Sequence, residues 1–254
     1  YEDDGEVFYS PDATNEQFNA VELGFNFYSN DGTMAAKLNL YNTNWNDRIL
    51  LRTVPGIEEG GDDNLLFLSG VNQVHSGVEA EFSAQLSPIV RLDLAASLGN
   101  WEFTDDATGT YRNNGSDENF QYALKGLKVG DMPQASLMVG AALTPIDGLI
   151  IESSYRFYAL HYAEWTPESR ENTDDHQQVY KTPKYGILDL HASYDLPFGF
   201  GSAKPKLYVH LLNALDEVYI QDASDNSEYN SFDNDHSADD AEVYFGLPTS
   251  FNIG

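Results

Sequence analysis

The residues best equipped for chemistry lie in three polar segments. The most acidic, "QDASDNSEYNSFDNDHSADDAE" (221–242), holds no lysine or arginine. Within it Asp233, Asp235, His236, Asp239 and Asp240 offer carboxylate oxygens and an imidazole, donors that a divalent cation accepts. The spacing lacks the glycine and the closing glutamate of an EF-hand loop. Asp233, Asp235 and His236 therefore form an incomplete metal candidate, set against the plainer alternative of a solvated, self-repelling loop. A second segment, 105–122, gathers Tyr111, Arg112, Asn113, Asn114 and Tyr122. Aromatic faces beside amide and guanidinium donors suit a sugar or a catecholate. In a third segment, 166–184, Arg170, His176 and Tyr180 are the candidate ligand contacts, with Asp174 and Asp175 among them. A turn-rich loop would have the same composition in both cases.

No arrangement points to catalysis. The chain has no cysteine, which removes thiolate nucleophiles, disulfides and Cys-based metal sites. Its six histidines are scattered, without a His-x-His or His-x-x-x-His pair. Asp105 and Asp106 are adjacent at a strand end, so their carboxyls point apart, unlike a glycosidase pair. The expectation is a non-enzyme without a cofactor. With 13 basic and 41 acidic residues and a net charge of −28, binding to nucleic acid through a basic surface is excluded.

The elements that position these segments are long alternating strands. In "IVRLDLAASLGNWEFTDD" (89–106), Val90, Leu92, Leu94, Ala96 and Leu98 share one face, while Arg91, Asp93, Ala95, Ser97 and Gly99 share the other. Similar patterns occur at 19–29, 33–45, 65–86, 133–145, 148–165, 185–198, 204–220 and 241–254, giving nine strands with that one. Strands in globular proteins run to about ten residues at most. Several of these are longer, reaching about 50 Å at about 3.3 Å per residue. Connections alternate: 30–32, 87–89, 144–148 and 197–205 are short, whereas 1–18, 46–64, 105–131, 166–184 and 221–240 are long. Up-and-down membrane barrels have this asymmetry, with tight periplasmic turns and long external loops. A soluble acidic β-sandwich, the competing reading, has no reason to maintain it.

On the polar faces, Glu22, Arg91, Asp93, Glu152, Arg156, Asp189 and His191 are expected to look into a lumen and pair across strands. Trp45, Trp101, Phe103, Tyr162 and Trp165 fall where strands meet long connections. That placement predicts an outer belt of rings at the headgroup layer.

Seven stretches then resemble, in order, the C-terminal part of the barrel of TonB-dependent outer-membrane receptors. They are "NLYNTNWNDR" (39–48), "GVNQVHSGVEAEF" (70–82), "LKVGDMPQ" (127–134), "YRFYALHYAEW" (155–165), "PKYGILDLHASYDLP" (183–197), "YVHLLNALDEVYI" (208–220) and "FGLPTSFNIG" (245–254). The resemblance implies an all-β, antiparallel, up-and-down transmembrane barrel of roughly twenty-two strands, of which residues 1–254 supply about nine. The plug domain and the C-terminal aromatic of the family are not found, so the chain is expected to be a fragment. The resemblance further implies multi-pass residence in the outer membrane of a Gram-negative bacterium and energised uptake of a scarce, bulky nutrient. An iron–siderophore, a cobalamin, haem and an oligosaccharide are the candidate cargoes. Implied partners are TonB–ExbB–ExbD acting through the missing N-terminal part, lipid and lipopolysaccharide, the small-molecule or oligosaccharide ligand, and, as a further candidate, a surface lipoprotein. A passive porin or channel remains the alternative within the same barrel physics.

Overall fold

A computed structural model describes residues 2–3, 6–7, 15–54, 64–113, 116–199, 201, 204–230 and 233–254. Fifteen strands follow in order: β1 (Glu2–Asp3), β2 (Glu6–Val7), β3 (Gln17–Tyr28), β4 (Met34–Val54), β5 (Asn64–Ser87), β6 (Val90–Phe103), β7 (Ala107–Asn113), β8 (Ser116–Tyr122), β9 (Ala135–Leu143), β10 (Leu149–Ala159), β11 (Tyr185–Asp195), β12 (Lys206–Leu212), β13 (Ile220–Asp225), β14 (Ala241–Phe245) and β15 (Ser250–Ile253). A 3-10 turn at Glu168–Arg170 and one helical turn, α1 (Ser227–Asn230), are the helical elements among the described residues. No helix there is long and apolar enough to cross a membrane, which bears only on helices.

Nine strands form one continuous antiparallel path, β15-β12-β11-β10-β9-β6-β5-β4-β3. Short turns join β3 to β4, β5 to β6, β9 to β10 and β11 to β12 at one end of the sheet, and long connections join the remaining neighbours at the other. The Asn30-Asp31-Gly32 turn illustrates the local cause. Gly32 takes a φ of +71°, open to glycine without strain. Asp31 accepts bonds from the Ser29 hydroxyl at 2.6 Å and from Thr33 N and Oγ1 at 3.1 and 2.8 Å. Those donors, Ser29 first, hold its carboxyl down at about 2.

The register fixes two faces. Val21, Leu23, Phe25, Leu38, Leu98, Val139, Leu190 and Val209 lie on one, and all are exposed. A sheet this broad that leaves an apolar face open, with no second sheet packed on it among the described residues, is not half of a sandwich. The other face carries the charges. Lys37 meets Glu81 at 2.8 Å across β4 and β5. Arg91 holds Asp93 at 2.8 Å and reaches to 3.6 Å from Glu152, two strands away. That reach passes over Ala142, paired with both Arg91 and Glu152, where a larger side chain would stand between them. Arg156 pairs with Asp189, and His191 lies beside His210 with their Nδ1 atoms 2.7 Å apart. All seven residues expected on the polar face, Glu22 included, share it by register.

Strand ends differ from the sequence pattern where side chains claim the backbone. The strand expected over 204–220 stops at Leu212, because Asn213 adopts a φ of 48° and its amide bonds the carbonyls of Glu217 and Leu247 at 2.9 and 3.2 Å. The strand expected over 148–165 stops at Ala159, before Leu160 with its φ of 54°. The final stretch 241–254 divides: β14 pairs with β13 in a separate hairpin, and only β15 joins the large sheet. The 105–131 connection contains a further hairpin, β7–β8, docked on β5.

Candidate functional site in the long connections

Among the described residues the main buried cluster lies where the long connections meet the ends of β5 and β6 and the β7–β8 hairpin. Leu68, Val71, Phe103, Ala107, Tyr122, Leu124, Leu127, Ala163, Trp165, Val179 and Ala223 form one cluster. Phe103, at the end of β6 and on the charged face, meets Trp165 edge-on at 6.1 Å, bringing the 160–184 connection against that face. Backbone bonds close the 160–184 connection on itself, Ala163 N to Tyr180 O at 2.8 Å, and tie it to its neighbours, Ala123 N to Arg170 O at 3.0 Å and Asp225 N to Glu164 O at 2.7 Å.

The five rings expected at a headgroup layer take other places. Trp45, Trp101 and Phe103 have the parity of Arg91 and Asp93, so they lie on the charged face. Trp101 donates from Nε1 to Tyr41 Oη at 2.8 Å, and Arg48 stacks over Trp45 at 4.2 Å. Trp165 is buried and Tyr162 packs against the same cluster. The apolar band ends instead at Leu98, beyond which Lys128 bonds Asn100 and Glu102 at 2.6 and 2.8 Å.

Of the candidate ligand contacts, Tyr122 and Arg170 are buried where connections meet, Tyr122 with its ring 6.4 Å from that of Trp165 and Arg170 accepting from Ala123 N at its carbonyl. Tyr180 is partly buried against the core. The side chains of Tyr111, Arg112 and Asn113, and Asn114 as a whole, lie outside the described residues. His176 lines a cavity of about 730 Å³ bounded by the 168–177 segment, α1 and the 233–236 segment. Its walls include Glu168, Glu171, Asp175 and Glu228, so its field is negative. Burial first, then the neighbouring Glu168 and Glu228, pushes the Glu171 carboxyl upward.

Beneath the cavity is a buried ionic network. Arg170 is fully buried; it donates to Gln177 O at 2.8 Å and lies 3.4 Å from Asp225 and 3.9 Å from Asp175. His236 spans the same two carboxylates, Nδ1 to Asp225 and Nε2 to Asp175, each at 2.9 Å. Burial opposes a charge on that ring, but the two carboxylates outweigh it and raise its pKa. With both nitrogens engaged, His236 turns away from Asp233 and Asp235, whose group is completed by Asp240. Sequence reasoning missed Asp225, Glu168, Glu171 and Glu228. A lone arginine between Glu168-Ser169 and Glu171 was the available signal for a buried ion network.

The fold, its two faces and the packed connections agree with one comparison above all. The family model described as "TonB dependent receptor-like, beta-barrel" matches residues 4–214. The chain belongs to the TonB-dependent receptor β-barrel family. Its members are outer-membrane proteins of Gram-negative bacteria, and that is the location of this β-barrel segment. Among solved structures, the Pseudomonas aeruginosa FpvA bound to heterologous pyoverdines is 13% identical at a TM-score of 0.55, covering 94% of this chain and 26% of that one. The ferric-catecholate import receptor Fiu of Escherichia coli K12 is 11% identical at 0.56, covering 96% and 28%. The siderophore receptor PiuA of Acinetobacter baumannii is 10% identical at 0.60, covering 93% and 28%. The chain thus spans about a quarter of these receptors. A comparison with curated proteins found no match.

Proposed function

We propose that this segment forms barrel wall and outer ligand-handling loops of a transporter driven by TonB–ExbB–ExbD. The observation that carries the reading is the joining of a two-faced, membrane-length sheet to long connections that pack together around an acidic cavity at one end. The two outermost strands, β3 and β15, each have one neighbour among the described residues. In lipid those open edges require further strands, which a complete barrel supplies. Glu22, Arg91, Asp93, Glu152, Arg156, Asp189 and His191 then face the lumen.

A cargo that is scarce and bulky, an iron–siderophore in the first instance, fits the similarity to pyoverdine and catecholate receptors. The acidic cavity favours cationic or hydroxyl-bearing parts of a ligand over a bare anionic chelate. The test is uptake of radiolabelled ferric pyoverdine and ferric catecholate by cells producing the full-length receptor, with and without TonB. The reading expects accumulation that needs TonB. Accumulation unaffected by loss of TonB supports the passive channel instead, and no accumulation of either chelate removes the siderophore assignment.

A further inference from the structure

We propose that Asp233, Asp235 and Asp240 form a calcium site that locks the last long connection. One carboxylate oxygen from each lies within 4.8 Å of the others. Calcium takes oxygen ligands at about 2.3–2.6 Å, so ligands on opposite sides of one ion stand about that far apart.

The second observation is the state of Asp240. It is fully buried. Its Oδ2 accepts from Ser237 N at 3.3 Å, whereas its Oδ1 has no hydrogen-bond partner. Among the described residues no lysine or arginine pairs with it, and the segment 221–242 contains neither residue type. A buried carboxylate oxygen without a donor is costly, and a cation bound at that oxygen removes the cost.

The donor chemistry selects the ion. The three side chains offer oxygens only, because His236 spends both ring nitrogens on Asp225 and Asp175. That set suits a hard cation and not zinc or copper. Calcium, tolerant of irregular oxygen cages, fits a loop better than magnesium, which demands near-ideal octahedral geometry.

The site also explains a structural dependence. Asp240 O accepts from Asn226 N at 3.0 Å, directly before β14, while His236 between Asp235 and Ser237 bridges to the 160–184 connection. A bound ion would fix the 233–240 segment and, through it, the contact between two external connections.

The experiment uses the full-length receptor, refolded into detergent without lipopolysaccharide and stripped with chelator, with calcium chloride as the probe in calorimetry. Asp240→Asn should bind one equivalent fewer than wild type. Asp235→Asn should weaken that equivalent on the order of tenfold or more, since ligand charge sets affinity. Asp174→Asn, a cavity carboxylate outside the site, should bind as wild type does. Magnesium at equal concentration should fail to replace calcium. Retained heat-modifiable mobility shows that each variant is a folded barrel. Equal calcium stoichiometry in wild type and Asp240→Asn overturns the proposal, as does an equal loss in Asp174→Asn. Because the readout is binding, transport failing its own test leaves this result standing.

Discussion

Arg170 shows what a single side chain does in this molecule. Its guanidinium is sealed between Asp225 and Asp175, so removing it leaves two carboxylates facing each other across His236. Breaking a buried pair by deleting one partner costs about 3–5 kcal/mol. Arg170→Met should therefore release hydrogen-exchange protection across 160–184 and 220–240 by about that amount while strands β9–β11 keep theirs. Glu171 supplies a test with pH. Its pKa is raised, burial being the main cause, so the folded state holds its proton more tightly than the unfolded chain. The cluster gains from Glu171 protonation as pH falls and loses that gain as pH rises through the folded pKa. In chelator, Glu171→Gln should resist protease better than wild type at pH 7.5, and the two should converge at acid pH. A gap that widens in acid would reverse the assigned sign.

Among elements, the row Tyr41–Gly77–Gly99 across β4, β5 and β6 shows how the sheet accommodates rings on its charged face. A Cβ at Gly77 would lie 2.5 Å from Tyr41 Oη and 2.8 Å from Leu98 O, and one at Gly99 would lie 2.6 Å from Trp101 Nε1. The glycines are the space into which the hydrogen-bonded rings fold. Gly77→Ala should lower unfolding stability in urea by about 1–3 kcal/mol, the usual cost of overpacking. Removing the ring with Tyr41→Ser should recover part of it, because the Leu98 carbonyl still opposes the new methyl.

The same elements show what the sequence made legible. The nine-strand path of the large sheet, the short turns and both faces follow from period-two alternation and Asn-Asp-Gly chemistry, which are local. The parity of Trp101 and Phe103 with Arg91 is equally local, and it places these rings on the charged face despite the general preference of strand-end rings for a headgroup layer. Burial of Trp165 and Arg170, and the β13–β14 hairpin, depend on contacts between connections far apart in sequence, which no periodicity encodes.

For the whole molecule, the distribution of charge and apolarity is the argument. A net charge of −28 is tolerable where the acids sit in external connections or in paired rows on one face. The opposite face cannot accept a charge at bilayer depth: Leu94→Arg should cost about 2–4 kcal/mol and impair assembly. Asp93→Leu, on the paired face, should assemble and lose only the Ser83 and Arg91 contacts.

The most direct test of the account is nitroxide accessibility in liposomes, with cysteines introduced one at a time into the full-length receptor freed of other cysteines. Labels at Leu94, Val139 and Val209 should be relaxed by oxygen from the lipid, and labels at Ser97 and Glu152 by a water-soluble nickel chelate. The reverse pattern, or access of the nickel chelate to both sets, would contradict a sheet with one face in lipid and the other in the lumen.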